Sequence, residues 1–243
     1  MVVFVISGAS YGLGPELVRQ ASFDDRNIIF ALVKSAKAAE RLANLTSARN
    51  NIHIYFDTRE DRQAGYEVIA RDILKTVTCV DVLINNVAWT GDCPGMQNLI
   101  RSDRYPNQMT DLQRFFSNHV LDAIHTINAF TPLLDRGSMK KVVTLVSEAV
   151  SSSSVLPSGL DVGVAYTMAK TALGMAMSRY SAKQKGSIYA TIEFDSSASS
   201  SGKDEYRSEI QETTSEMLEM ILRFGCDDSG RCIKLRERDL ITL

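Results

Sequence analysis

Short apolar runs alternate along this chain with longer stretches in which apolar and polar residues recur at helical spacing. The runs that predict strands are Val2–Ile6, Asn27–Val33, Ile52–Phe56, Val80–Asn85, Lys141–Val146 and Ser187–Glu193. The amphipathic stretches that predict helices lie near residues 12–22, 36–47, 60–77, 109–135 and 163–184. Because parallel strands need a crossover between them, this alternation predicts an α/β protein with a Rossmann-like, doubly wound parallel sheet and helices on both faces.

Three stretches interrupt the alternation, near residues 89–109, 151–162 and 195–206. The first carries glycine, proline and charge, and the other two are rich in serine. Each follows a predicted strand, and ligands of open α/β sheets bind beyond the carboxyl ends of the strands. We therefore predict a single domain over residues 1–243 in which these stretches are substrate loops.

Composition narrows the range of partners. The chain is 44% hydrophobic and 23% charged with a formal net charge of −2, which gives no reason to expect nucleic acid or an anionic membrane. Its cysteines are scattered without a Cys-x-x-Cys pair, so neither a zinc site nor a disulfide framework is expected. The first apolar run is too short for a signal peptide, and none approaches membrane-spanning length. We expect a cytoplasmic protein with no metal, nucleic-acid or membrane partner.

A glycine-rich turn follows the first predicted strand directly and stands at the start of the first predicted helix. Glycine permits a tight turn and lets the backbone approach a pyrophosphate, while the helix N-terminus offers N–H groups to that anion. This position favours a nucleotide site over a strand-to-helix turn without a ligand. The residues of the predicted site are Gly8, Ser10, Tyr11, Gly12, Leu13 and Gly14.

Further motifs follow the turn in order. Asp57 ends the third predicted strand, Asn85-Asn86-Val87-Ala88 ends the fourth, and Tyr166-Thr167-Met168-Ala169-Lys170 lies in the last predicted helix. Together with the G-x-x-x-G-x-G spacing of the turn, they resemble the short-chain dehydrogenase/reductase family, and the run 129–134 is similar to fungal members that act on small secondary metabolites. The resemblance implies that Asp57 contacts the adenine amino group and that Asn86 and Val87 pack against the adenosine ribose.

The end of the second predicted strand bears on the choice between NAD and NADP. Relatives that prefer NAD place an aspartate there to hold the ribose hydroxyls. This chain has Lys34 and Ser35 instead, and no acid before Glu40. Lys34 and Lys37 could also be ordinary solvated lysines, so the missing acid is the stronger argument. We predict NADP(H), with Lys34 and Ser35 at its 2′-phosphate.

Tyr166 and Lys170 are four residues apart and therefore share one face of a helix. A nearby ammonium group favours the phenolate, which lets a tyrosine act as acid or base near neutral pH. The resemblance implies that Lys170 also binds the nicotinamide ribose. The third partner should be a hydroxyl at the end of the fifth strand that donates to the substrate oxygen. Ser147 takes that place, and Ser153, nearer to Tyr166 in sequence, is its rival.

Two departures from the family pattern stand out. Relatives carry an asparagine in the helix before the fifth strand, where it supports a water of the proton relay. Ungapped counting puts His119 there, with Asn118 one residue earlier. His119 is either a substitute relay group or a packed helix histidine. The sixth strand runs into Phe194-Asp195, where relatives have a Pro-Gly turn beside the nicotinamide. A bulky ring and a carboxylate at that turn are the main argument against hydride transfer.

These features predict an NADP(H)-dependent carbonyl reductase, or alcohol dehydrogenase in the reverse direction, for a small organic substrate such as a polyketide-like or other secondary metabolite. The alternatives are a non-redox isomerase, dehydratase or cyclase on the same scaffold, and a non-catalytic dinucleotide sensor. The resemblance also implies a homodimer or homotetramer assembled through the helices near 109–135 and 163–184. Candidates for an apolar contact there are Met168, Leu173, Met175 and Met177.

Overall fold

The computed structural model describes residues 1–46, 49–56, 61–87, 105–147, 164–194, 203–236 and 240–241. In chain order the strands are β1 (Val3–Ser7), β2 (Ile28–Val33), β3 (Ile52–Phe56), β4 (Val82–Val87), β5 (Lys141–Ser147), β6 (Ile188–Phe194), β7 (Cys232–Lys234) and β8 (Leu240–Ile241). The helices are α1 (Gly14–Ala21), α2 (Ala36–Thr46), α3 (Arg62–Ile73), α4 (Tyr105–Phe116), α5 (Asp122–Leu134), α6 (Val164–Lys183) and α7 (Lys203–Arg223). A π-helical turn, Ser117–Leu121, joins α4 to α5, and a short 3-10 turn, Cys226–Asp228, follows α7.

Within the described part of the chain, these strands form one sheet in the order β3-β2-β1-β4-β5-β6-β7-β8. Strands β1 to β7 are parallel, and β8 pairs antiparallel with β7. Strand β1 pairs with β2 on one side and with β4 on the other, so the winding of the chain reverses there. A ligand of a doubly wound sheet binds at such a reversal, beyond the carboxyl ends of the strands.

Alternate residues of the central strands enter two apolar cores, one on each face of the sheet. Phe4 and Ile6 of β1 lie in a core with residues of α1, α2 and α7. Val3 and Val5 face the other way, into a core with residues of α3, α5 and α6. Burial of both faces explains why the strands are continuous apolar runs in the sequence.

The predicted fold class is confirmed, and each predicted strand and helix has a counterpart in the structure. The short strands β7 and β8 and the helix α7 were not predicted. The single helix predicted near 109–135 is divided by the π-helical turn, a feature that often marks functional sites. The loop predicted at 151–162 and most of those at 89–109 and 195–206 lie outside the described residues. None of the described helices is long and apolar enough to cross a membrane.

Candidate active site

The turn after β1 can be built only with glycine at its critical positions. Gly8 and Gly12 have φ angles of 65° and 55°, in the left-handed region that disfavours other residues. A Cβ atom on Gly8 would lie 2.2 Å from the Asn86 carbonyl oxygen, and one on Gly14 would lie 2.3 Å from the Gly8 carbonyl oxygen. Gly14 opens α1, as predicted. The close approach of β4 therefore explains the glycine at position 8, and the close approach of the backbone of Gly8 and Ala9 explains the glycine at position 14.

The end of β4 fixes the conformation of the turn. The Asn86 side-chain amide donates to the carbonyl oxygens of Gly8, at 3.0 Å, and of Tyr11, at 3.2 Å. Beside it, the Ser7 hydroxyl donates to the Asn85 side-chain oxygen at 2.8 Å. The structure thus brings Asn86 together with the predicted turn. The backbone of Val87 ends β4, but its side chain and all of Asp57 lie outside the described part.

Polar groups at this turn suit an anionic ligand. The N-cap residue of α1 is Leu13, whose apolar side chain makes no capping hydrogen bond, so N–H groups at the start of α1 can meet a phosphate. The buried side-chain atoms Ser10 Oγ, Asn85 Nδ2 and Asn86 Oδ1 have no hydrogen-bond partner in the described part of the chain. Buried polar atoms normally have a partner, which a ligand can supply. The residues present therefore fit the pyrophosphate of a dinucleotide.

The two residues predicted to hold a 2′-phosphate have structural partners. The Lys34 ammonium lies 3.1 Å from an Asp122 carboxylate oxygen. This ion pair connects the end of β2 with the start of α5. Asp122 also accepts a 2.8 Å hydrogen bond from the Tyr66 hydroxyl; burial, followed by the charge of Asp122, raises the pKa of Tyr66. The Ser35 hydroxyl accepts from the Ala38 N–H at 3.2 Å and caps α2. Lys34 is thus partly compensated by a carboxylate.

Sequence reasoning missed Arg41, which reaches the glycine-rich turn from α2. Its guanidinium donates a 2.6 Å hydrogen bond to the Ser10 carbonyl oxygen and lies 5.6 Å from the centre of the Tyr11 ring. Among the described residues Arg41 has no carboxylate partner. Arg41 lies in α2, the helix that follows β2, and this position was the signal that the sequence offered. A helical pattern does not show, however, which exposed cation of the helix faces the turn after β1.

The predicted catalytic residues come from β5 and α6 at the same edge of the sheet. Ser147 is the last residue of β5 and pairs in register with Phe194 of β6. Tyr166 lies in the first turns of α6, with Lys170 one turn later. The side chains of Ser147 and Tyr166, and all of Ser153, lie outside the described part, so the choice between the two serines stays a prediction.

Lys170 forms a buried ion pair with Glu193 of β6. The Lys170 side chain is 6% exposed and that of Glu193 is 2% exposed. Sequence reasoning also missed Glu193, because a single acid inside an apolar strand does not reveal which helix it faces. The pair places the ammonium group at the carboxyl end of β6.

Phe194 does not project toward Lys170. Its side chain is buried in the core that contains Ile192 and Met217, on the opposite face of β6 from Glu193. The bulky ring that replaces proline is therefore accommodated by the core, whereas Asp195 lies outside the described residues.

His119 lies in the π-helical turn and stacks on Phe115, with ring centres 4.0 Å apart. Burial, reinforced by the charge of Lys34 and opposed by that of Asp122, lowers the pKa of His119 to about 4. The charges that act on it thus belong to the end of β2 and the start of α5, and no hydrogen bond in the described part joins it to Lys170. Asn118 is exposed. This placement favours a packed histidine over a relay group.

Known proteins resemble this chain in sequence. The sequence model of the short chain dehydrogenase family matches residues 2–191. A short-chain dehydrogenase/reductase of Arthrinium sp, atnB, is 31% identical over 224 residues, which cover 92% of this chain and 82% of that protein. A short chain dehydrogenase of Hypocrea virens, virK, is 29% identical over 196 residues, covering 79% and 72%.

Solved structures share the fold at low sequence identity. An NADPH-bound carbonyl reductase from chicken fatty liver superposes with a TM-score of 0.78 at 17% identity, covering 100% of both chains. A Pseudomonas aeruginosa carbonyl reductase in complex with NADP gives a TM-score of 0.71, also at 17% identity and 100% of both chains. These likenesses show the fold alone.

Proposed function

The chain belongs to the short-chain dehydrogenase/reductase family of oxidoreductases, and from that premise we propose that it is an NADP(H)-dependent carbonyl reductase, or alcohol dehydrogenase in the reverse direction. The observation that carries the proposal is the convergence of a glycine turn fitted to a dinucleotide with Ser147, Tyr166 and the buried Lys170 at one edge of the sheet. The proposed substrate is a small organic compound, such as a polyketide-like or other secondary metabolite, because the run 129–134 is similar to fungal family members that act on such compounds.

Preference for NADP(H) rests on charge at the end of β2. Two cations and a hydroxyl lie near the turn, on Lys34, Arg41 and Ser35. The Lys34 ammonium is paired with the carboxylate of Asp122. Arg41, with no carboxylate partner in the described part, is the stronger candidate for a phosphate because guanidinium groups bind phosphate oxygens in a fork. NADP-bound and NADPH-bound carbonyl reductases of the same fold are consistent with this preference.

In the proposed reaction, NADPH supplies a hydride to the carbonyl carbon when it is bound. Ser147 donates a hydrogen bond to the carbonyl oxygen, where negative charge develops. Tyr166 donates the proton to that oxygen, and the Lys170 ammonium stabilises the phenolate that remains. Lys170 also donates to the nicotinamide ribose. A non-redox reaction on the same residues is the second candidate, because Phe194-Asp195 replaces the family's Pro-Gly turn.

Substitution of the proposed catalytic residues tests the assignment. Tyr166→Phe should abolish NADPH-dependent carbonyl reduction and spare NADPH binding, because it removes only the proton donor. Ser147→Ala should lower the turnover rate about 100- to 1000-fold, by analogy with other donors to developing oxyanions. Ser153→Ala, the matched control, should leave the rate nearly unchanged. A large loss with Ser153→Ala and none with Ser147→Ala would contradict the assignment.

A further inference from the structure

The buried pair of Lys170 and Glu193 is not explained by stability alone. Both side chains are nearly inaccessible to water, and transfer of two charges out of water carries a large desolvation cost. Replacement of such a pair by apolar residues of similar size is often neutral or stabilising. Met177 of α6 and Tyr189 of β6 are buried in the core on the Glu193 face of the sheet, which shows that this side of β6 can be covered without charge.

The location of Glu193 connects it with the proposed site. Glu193 precedes Phe194, the register partner of Ser147, and is itself the register partner of Val146 on β5 and Lys234 on β7. Its carboxylate thus lies one residue from the strand ends where the substrate carbonyl is expected. The cation it holds comes from α6, one helical turn after Tyr166.

Lys234 on β7, the register partner of Glu193, is a second cation at this end of the sheet, and Glu193 is the one carboxylate of β6. Cys232 of β7 is buried, and burial raises the pKa of its thiol while the charge of Lys170 opposes that shift. Thr191, two residues before Glu193, has a buried hydroxyl without a partner in the described part. Of the described groups on β6, Glu193 is therefore the one that can compensate the charge of Lys170.

We propose that Glu193 is a positioning residue of the active site, which holds the Lys170 ammonium charged and oriented toward the nicotinamide ribose. An ammonium group has three N–H donors, and the bond to Glu193 uses one of them. A flexible lysine fixed by a carboxylate loses less rotamer freedom when the ligand arrives, which strengthens binding. The inference rests on the proposed function, because it assumes a dinucleotide beside Lys170.

The test separates charge from shape at position 193 by calorimetric titration of the full chain with NADPH. Glu193→Gln keeps the size of the side chain and removes its charge, whereas Glu193→Asp keeps the charge and shortens the side chain. If the carboxylate positions Lys170, Glu193→Gln should weaken NADPH binding roughly tenfold or more, as expected for a charged hydrogen bond. Glu193→Asp should retain most of the affinity. If Glu193 only fills space, Glu193→Asp should weaken NADPH binding more than Glu193→Gln does.

A double-mutant cycle shows whether Glu193 acts through Lys170. Lys170→Met should itself weaken NADPH binding, and Glu193→Gln added to it should cause no further loss, since the group it positions is gone. The double variant also lacks both buried charges, so it should fold if Glu193→Gln alone does not. Glu216→Gln on α7, where the acid is 41% exposed, is the matched control and should bind NADPH as the wild type does.

The possible outcomes distinguish the inference from the proposed function. Wild-type protein that does not bind NADPH would overturn both. Wild-type binding with unchanged or increased affinity in Glu193→Gln would overturn only the positioning role, as would independent, additive losses from the two substitutions.

Discussion

At the scale of single residues, contacts between residues far apart in sequence determine which cations near the nucleotide turn are available to a phosphate. Asp122 approaches Lys34 from α5, and Arg41 approaches Ser10 from α2. A carboxylate beside Lys34 reduces the attraction that this lysine exerts on a phosphate. In the described part of the chain, the guanidinium of Arg41 contacts a carbonyl oxygen and an aromatic ring and no carboxylate, so its charge is available to a phosphate.

We therefore expect Arg41 to contribute more than Lys34 to discrimination between NADPH and NADH. Arg41→Gln should weaken NADPH binding roughly tenfold, the loss of one charged hydrogen bond, and leave NADH binding nearly unchanged. Lys34→Ala should have a smaller effect of the same kind. Lys37→Gln, a change of an exposed lysine on the same helix, is the control. Calorimetric titrations in which Arg41→Gln weakens both nucleotides equally would refute the assignment.

His119 should give the fold an acid-sensitive component. Its pKa in the folded chain, about 4, lies below the ordinary value of 6.5, chiefly because of burial. Between these values the unfolded chain binds the additional proton, so the contribution is complete above pH 6.5 and falls as the pH falls toward 4. Urea denaturation at pH 7 and pH 5 should show a larger loss of stability in the wild type than in His119→Gln, by about 1–2 kcal/mol. An NMR titration of His119 near pH 6.5 would contradict this account and restore the relay interpretation.

At the scale of elements, the site is made where strand ends meet helix starts. Strand β4 carries Asn86 to the turn between β1 and α1, and β5 and β6 carry Ser147 and Glu193 to the edge that α6 covers. The parallel register fixes these relations, because adjacent carboxyl ends share one edge of the sheet.

Substitution in the turn should show how tightly β1, α1 and β4 are coupled. Gly8→Ala forces a side chain against the Asn86 carbonyl and into a left-handed φ, so it should lower the free energy of unfolding by about 1–3 kcal/mol or more and abolish NADPH binding. Gly225→Ala is the matched control, since a Cβ there meets nothing within 4 Å and the φ of −118° is ordinary. Thermal denaturation with equal shifts for both variants would argue against the coupling.

The same elements show what the sequence could predict. Apolar runs identify β1, β2, β4, β5 and β6 because both faces of the central sheet are buried, whereas β3, a partly buried edge strand, is identified by its isoleucine and aromatic residues. The glycines and Asn86 identify the turn because their roles are local to it. Strands β7 and β8 escape because three and two residues make no recognisable run. The Lys34–Asp122 and Lys170–Glu193 pairs escape because each joins elements whose relative packing no local pattern contains.

At the scale of the whole molecule, the outer surface of α6 bears on assembly. Leu173 and Met177 are 1% exposed and lie in apolar clusters inside the fold, whereas Met168 and Met175 are 44% and 58% exposed. Core packing therefore accounts for two of the four predicted contact residues. The exposed pair is the part of the helix that remains for a contact with a second copy.

We expect a homodimer or homotetramer at micromolar concentration, assembled through α4–α5 and α6. Met175→Glu should shift the protein toward the monomer in sedimentation velocity, because a charge in an apolar contact is costly. Leu45→Glu changes a 62% exposed residue of α2, on the other face of the sheet, and should leave the assembly intact. A wild-type monomer would rule out this arrangement.

The most direct test of the central claim, hydride transfer from NADPH, counts nicotinamide consumed against product formed. The protein is mixed with NADPH and a panel of small ketones, the absorbance band of the reduced nicotinamide is followed, and the products are quantified in the same samples. The account predicts one NADPH oxidised for each alcohol formed, with both signals lost in Tyr166→Phe. Conversion of a substrate to an isomer or a dehydration product without oxidation of NADPH would contradict it and identify a non-redox enzyme on this scaffold.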